Sequence, residues 1–211
     1  MSSATDNNAA PEVYVHLTPA GCYHAIQSSE LSPVRQTLHR ILGNTSTPAL
    51  SVYQEQEERE EIAKLCKAGF LELKHDQRSL PEGNLSSLLP TVLPALSERK
   101  KALLTESKQG LFIDFAGVSK SQAEELAVLA AGLRATADKS SGLLAGELSI
   151  HSRAFAIVDP AGNSELGFWP LHIGDNVFTL IVAGIPRFNS EPFCTLVWAL
   201  AERYGSHNQL T

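Results

Sequence analysis

The side chains that could carry out catalysis are spread along the chain without the spacing of a known catalytic set. Asp114 and Asp159 are the kind of carboxylate pair that general acid and base catalysis needs. Both lie beside turns, where aspartate is common for conformational reasons, so we do not expect them to meet. His151 and His172 lie in strand-like segments and could form a switch or a ligand pair, but we expect them to face solvent. The phosphate-binding loop GxxxxGK followed by Ser or Thr is missing, so we predict that the chain is not itself a GTPase. Since no other catalytic set is visible, we predict that it is not an enzyme.

Three cysteines and their histidine neighbours are the candidates for a metal site or a disulfide. Cys22, Cys66 and Cys194 are odd in number and far apart, without a CxxC pair, which argues against a disulfide framework. Cys22 is close in sequence to His16 and His24, but no second pair of ligands follows downstream as a zinc site would require. Cys66 and Cys194 lie in apolar helical patterns and are predicted to be buried. We therefore predict no metal and no cofactor.

Composition and charge restrict the class of protein further. Of the 211 residues, 43% are hydrophobic and 19% are charged, which is enough apolar material for a core. The net charge of -6 disfavours general binding to nucleic acid or to an anionic membrane, because phosphate binding needs a positive field. No apolar run reaches the roughly 18 residues of a membrane span, and MSSATDNNAA lacks the features of a signal peptide. These observations predict a cytoplasmic protein without membrane insertion.

The elements that position these residues fall into two parts. Residues 1–11 are predicted to be a disordered tail, and residues 12–80 a small domain. Within it, Ser32 before Pro33 predicts the start of a helix that Gly43 ends. EQEEREEIAKLCKAGF predicts a further helix, and the alternation in 70–74 predicts a strand. The order of helix, short helix, helix and strand resembles a winged-helix domain.

The charge of this N-terminal domain decides between two roles. In a winged helix the third helix would read DNA, but here it begins with five glutamates and one arginine, which would repel phosphates. A solvated acidic face or a surface for a protein partner explains these residues better, and nucleic acid is not the expected partner. The alternative function, a transcriptional regulator that binds DNA, would need a basic surface elsewhere, built from Arg35, Arg40 and Arg78.

The second part follows a connector at 81–97, in which Pro90 and Pro94 are expected to prevent one continuous helix. Residues 98–207 are predicted to form the larger domain. Its long helix has a capping box, formed either by Ser119 and Gln122 or by Ser121 and Glu124. The predicted order is strand 101–106, a turn ending at Gly110, strand 111–116, helix 122–139, strands 148–159, 165–171 and 177–185, and helix 190–205.

This second part resembles a Roadblock domain, the family of dynein light-chain Roadblock proteins and bacterial mutual-gliding protein B. The resemblance is carried by ALLTESKQGLFIDFAGVSKSQAEELAVLAAGL and by GNSELGFWPLHIGDNVFTLIVAG, and it covers about half of the chain. It implies an α+β fold, with a Roadblock-like α/β/α arrangement of a five-stranded antiparallel sheet and flanking helices. It also implies a non-enzymatic homodimer, paired through sheets and long helices. Such a protein binds or regulates a small Ras-like GTPase or scaffolds other proteins.

The long helix supplies the residues predicted to meet a partner or a second copy. Leu126, Leu129 and Leu133 are expected to form its core stripe. Another face carries small residues with an adjacent arginine, and a tryptophan lies in the following strands. The residues predicted to contact a partner or a second copy are Ala123, Ala127, Ala131, Arg134 and Trp169. The alanines could equally be helix formers on a half-exposed surface, and the arginine could be salt-bridged rather than an arginine finger. A small-molecule sensor with an apolar pocket is a third possible function.

Overall fold

The structure, a computed structural model, describes residues 11–106, 110–149 and 153–205. It contains six helices and seven strands in these ranges, besides a 3-10 turn at Leu50–Val52 and a π-helical turn at Gly142–Glu147. In chain order these are β1 (Tyr14–Leu17), α1 (Pro19–Ile26), α2 (Pro33–Leu42), α3 (Gln56–Lys67), β2 (Leu71–Lys74), α4 (Leu85–Ala95), β3 (Ala102–Glu106), β4 (Leu111–Ala116), α5 (Lys120–Lys139), β5 (Phe155–Val158), β6 (Ser164–Ile173), β7 (Asn176–Ala183) and α6 (Glu191–Tyr204).

The N-terminal part consists of three helices and a two-stranded antiparallel sheet of β1 and β2. The predicted start of α2 is confirmed, since the Ser32 side chain accepts a hydrogen bond from the backbone N–H of Arg35 at 3.3 Å. Gly43 is the C-cap of this helix, as expected. Sequence analysis did not predict β1, whose four residues YVHL alternate too briefly to be distinctive. That this part is a winged helix remains a prediction.

The C-terminal part is built on a five-stranded antiparallel sheet with the strand order β4-β3-β7-β6-β5. Helices α4 and α6 contact one face of this sheet, while α5 contacts the other. The central strands are apolar on both sides because both faces are covered: Leu104 and Leu180 lie in the core below α4 and α6. Leu103 and Ile181 lie in a smaller core below α5. The predicted α+β class, with a five-stranded antiparallel sheet and flanking helices, is confirmed.

Helix α4 corrects the prediction that Pro90 and Pro94 prevent a continuous helix at this point. The helix runs through both prolines, and the Asn84 side chain caps its start by accepting a 2.9 Å hydrogen bond from the N–H of Ser87. An interior proline costs about 3 kcal/mol in a helix. Burial of Leu89 and Leu93, both fully enclosed in the larger core, offsets this cost.

Among the described residues of the strand predicted over 148–159, only Phe155–Val158 pairs with β6, so the strand is shorter than expected. The chain leaves α5 through the π-helical turn, and Ser149 then adopts a left-handed φ of 55°, which is incompatible with an extended strand. Residues 150–152 lie outside the described residues, as do residues 107–109 of the predicted hairpin turn. Gly110 has the expected positive φ, 65°.

One apolar cluster connects the two parts of the chain. It contains Val15 and Leu38 of the N-terminal part together with Phe193 and Leu200 of α6. Helix α6 contacts α1, α2 and α4 as well as the sheet, so a single helix contributes to the core of both parts. Within the ranges that the structure describes, none of the helices is both long and apolar enough to cross a bilayer.

Candidate functional site

The small-residue face of α5 points into the protein rather than toward a partner. Ala123 and Ala127 are 0% and 1% exposed and belong to the side of the helix that rests on the sheet. Leu129, predicted to be part of the core stripe, is 44% exposed. Leu126 and Leu133 pack against the smaller core as predicted, so the expected stripe is wrong only at Leu129, while the alanines let α5 approach the sheet closely. A partner could reach Ala123 or Ala127 only if α5 left the sheet.

The other residues predicted for the partner surface lie in different places. Ala131 is half-buried, with its Cβ near Gly110 at the start of β4. The Arg134 guanidinium pairs with the Asp138 carboxylate at 3.5 Å, as a salt-bridged arginine would. Trp169 lies on the opposite face of the sheet, in the core below α4 and α6, with its ring edge-on to Phe188 at 5.0 Å. The structure therefore does not assemble these five residues into one surface.

The carboxylates considered for catalysis are also far apart in the sheet. Asp114 lies on β4 and Asp159 directly follows β5, and these two strands form opposite edges of the five-stranded sheet. The Asp159 carboxylate accepts hydrogen bonds from the backbone N–H groups of Ala161 and Asn163, both at 2.9 Å. This is the turn-forming role of aspartate, and it holds the pKa of Asp159 below its ordinary value, mainly through the hydrogen bonds from Asn163.

The possible metal ligands near the N-terminus do not converge either. The Nε2 atom of His16 is 2.8 Å from the carbonyl oxygen of Asp76, whereas His24 stacks on Phe70 at 4.5 Å between ring centroids. Among the residues that the structure describes, no group of three or more His, Cys, Asp or Glu side chains is arranged to hold a metal ion.

The three arginines needed for a basic DNA-binding surface already have partners. Arg35 donates hydrogen bonds to the carbonyl oxygens of His24 and Glu30, and Arg40 pairs with Glu58 at 3.2 Å. Arg78 pairs with Glu191, and Asp76 lies 3.6 Å away. These contacts leave no common guanidinium surface for a phosphate backbone, so the DNA-binding alternative gains no support.

His172 is buried between the sheet and α5, which contradicts the expectation that it faces solvent. It is 6% exposed, and its Nδ1 atom has no hydrogen-bond partner among the described residues. Loss of solvation lowers the pKa of His172 to about 4, and the cations of Arg134 and Arg153 act in the same direction. The carboxylate of Asp138 opposes the shift. His172 is therefore neutral in the folded protein near pH 7. His151 lies outside the described residues.

We expect the folded protein to lose stability as the pH falls from about 6.5 to about 4, because the unfolded chain binds a proton at His172 in this window and the folded chain does not. The full difference amounts to about 3 kcal/mol. Chemical denaturation of wild type and His172→Gln at pH 7, 5.5 and 4.5 measures it. The variant should lose less stability on acidification, while the exposed His75→Gln should follow the wild type. If all three proteins lost the same stability on acidification, the buried His172 would not be the cause of the acid sensitivity.

Two exposed and three half-buried apolar side chains lie on α5, β5 and β6 near one edge of the sheet. Ile157, 55% exposed, pairs with Leu166, whose side chain packs against the core below α5. Leu133 of α5 and Phe155 of β5 line the same small cavity, and Leu129 is one turn before Leu133. We refer to Leu129, Leu133, Phe155, Ile157 and Leu166 as the edge patch. It joins apolar side chains to a strand edge that pairs with no other described strand.

A second candidate site is a cavity of about 280 Å³ between the N-terminal part and α6. Cys22 of α1 and Cys194 of α6 both line it, together with His16, Arg78, Glu191 and Trp198. The indole N–H of Trp198 donates a 2.6 Å hydrogen bond to the carbonyl oxygen of Asn44, which ties α6 to the end of α2. We refer to this space as the thiol cavity.

Neither the edge patch nor the thiol cavity was found by sequence analysis. Ile157 and Val158 are adjacent apolar residues that the sequence places in a strand, but nothing in the sequence shows that this strand is an edge. The two cysteines are 172 positions apart and only the fold brings them together. When the chain was compared with protein families, curated proteins and solved structures, no match was found.

Proposed function

We propose that this chain is a non-enzymatic scaffold or regulatory protein of the Roadblock type, acting in the cytoplasm as a homodimer. The observation that carries the proposal is the edge patch, which combines an unpaired strand edge with exposed apolar side chains. In the finer version of the proposal, the dimer binds a small Ras-like GTPase; in the broader version, it holds other proteins together.

The edge patch leaves backbone hydrogen-bonding groups unpaired and apolar side chains in water, and pairing with a second copy would remove both costs. An unpaired strand offers backbone N–H and C=O groups to another strand, and charged side chains or proline usually protect such edges. Strand β5 has neither, and its residues FAIV include two side chains that are more than half exposed, Ile157 and Val158. A second copy that adds its own β5 would satisfy the backbone groups and bury these side chains together with Leu129.

We expect Ile157→Lys to weaken self-association at least about tenfold, because a charge at a paired strand edge must be desolvated. Light scattering over a concentration series measures the mass of the wild type and the variant. The matched control is Leu31→Lys, which changes a residue that is 60% exposed and lies before α2, and it should remain dimeric. A wild type that stays monomeric throughout the series, or an equal effect of both variants, would contradict the proposal.

The finer version is tested separately, by titrating the dimer against Ras-like GTPases and following nucleotide hydrolysis and exchange. Binding or a changed rate that Ile157→Lys abolishes would support regulation by the dimer. Dimerisation without any binding would leave the scaffold version in place and remove the GTPase as a partner.

A further inference from the structure

Cys22 and Cys194 are brought together by the contact between the first and the last helix of the described chain. Cys22 lies on the buried side of α1, and Cys194 lies near the start of α6, which packs directly against α1. Both line the thiol cavity, and the neighbouring Cys194 thiol raises the pKa of Cys22. Both are free cysteines in the structure. A disulfide needs Cα atoms within about 7 Å of each other, a separation that two helices in direct contact can supply.

We propose that Cys22 and Cys194 form a reversible disulfide when the protein is exposed to hydrogen peroxide, which covalently joins α1 to α6. The thiol cavity gives a molecule of this size room beside the sulfur atoms. Cys194 is half-buried whereas Cys22 is 1% exposed, so peroxide reaches Cys194 first. The Arg78 and Glu191 side chains, 36% and 59% exposed, line the cavity on its solvent side.

The reaction has two steps. In the first, the sulfur of Cys194 attacks one peroxide oxygen, the O–O bond breaks, and the other oxygen leaves as water with the thiol proton, which gives a sulfenic acid. In the second, the sulfur of Cys22 attacks the sulfur of Cys194, an S–S bond forms, and the hydroxyl leaves as water with the proton of Cys22. Two thiols are oxidised, one peroxide is reduced and two waters are released.

The order of attack agrees with the state of the Cys22 thiol. The neighbouring Cys194 side chain and the burial of Cys22 raise the pKa of Cys22 well above its ordinary value, so Cys22 keeps its proton. Cys22 is therefore a poor first nucleophile toward free peroxide, and it attacks only the sulfenic acid that Cys194 holds beside it in the thiol cavity. Cys66 lies on α3 and lines a different groove, so it is not a competing partner.

Peptide mapping under non-reducing conditions tests the proposal directly on the full chain. Cleavage after Lys and Arg puts Cys22, Cys66 and Cys194 in three separate peptides, 1–35, 65–67 and 188–203. After treatment with hydrogen peroxide we expect peptides 1–35 and 188–203 to be linked, with a mass lower by two hydrogens, and dithiothreitol to release them. The oxidised protein should unfold about 5–10 °C higher than the reduced protein.

Three variants make the result decisive. Cys194→Ser and Cys22→Ala should each abolish the link and the thermal shift, and Cys66→Ser should retain both. The half-buried position of Cys194 makes its variant the safer test if the buried Cys22→Ala proves unstable. Peroxide that leaves all three thiols free, links Cys66 or joins two copies of the chain would overturn the proposal.

Discussion

Gly21→Ala should destabilise the protein by about 3 kcal/mol, because α1 touches the chain before β2 at this residue. A Cβ atom at Gly21 would lie 2.0 Å from the carbonyl oxygen of Phe70. That oxygen also accepts the backbone N–H of Thr18 at 3.0 Å, so it cannot retreat without disturbing the start of α1. One added methyl group would therefore separate the helix from the strand. The midpoint and slope of urea denaturation measure the loss.

The matched control for this substitution is Gly132→Ala in α5. Apart from its chain neighbours and the backbone of its own helix, no described atom lies within 4 Å of the position that its Cβ would take. Since glycine costs about 0.5–1 kcal/mol relative to alanine inside a helix, this variant should be more stable than the wild type. If Gly21→Ala were as stable as Gly132→Ala, the close approach of α1 to Phe70 would be disproved.

Phe193→Ala is expected to have the second large effect, a loss of about 3–5 kcal/mol. Phe193 is fully buried in the larger core and stacks on Phe188 at 4.8 Å between ring centroids. It lies in the first turn of α6, the helix that contacts α1 and α4 as well as the sheet. Small domains have only about 5–15 kcal/mol of total stability, so this single cavity would remove much of it.

Two tryptophans allow the effect of Phe193→Ala to be followed at the contact with the N-terminal part and within the sheet. Trp198 is hydrogen-bonded to the end of α2, whereas Trp169 lies on β6. In a Trp198→Phe background the fluorescence reports Trp169, and in a Trp169→Phe background it reports Trp198. Phe193→Ala should lower the denaturation midpoint by the same amount in both backgrounds. The control Ile185→Ala changes a residue that is 50% exposed and should shift neither. A shift confined to one tryptophan would show that the parts unfold independently.

Much of the fold could be predicted from local sequence signals. The capping box of Ser119 and Gln122 is present, and Ser32 caps α2 as its sequence indicates. The predictions were wrong where contacts between residues distant in sequence determine the local structure. Pro90 and Pro94 are tolerated because buried leucines hold α4 in place, and no local pattern records that burial. The length of β5 depends on the turn that precedes it.

The candidate sites were less accessible to sequence reasoning than the fold. A row of alanines in α5 fits both a close helix–sheet contact and a partner surface, and the choice depends on which side meets the sheet. His172 looked exposed because alternation along a strand cannot show that both faces of the sheet are covered. Ile157 and the pair of Cys22 and Cys194 required the strand order and the helix contacts of the complete structure.

The position of α6 has a consequence for how the protein is made. Ribosomes deliver the chain from its N-terminal end, and α6 is the last of the described elements to emerge. The apolar sides of α1, α2 and α4 are complete much earlier, and they stay uncovered until α6 arrives. Folding during synthesis therefore cannot complete the larger core, which both parts share, until α6 has left the ribosome.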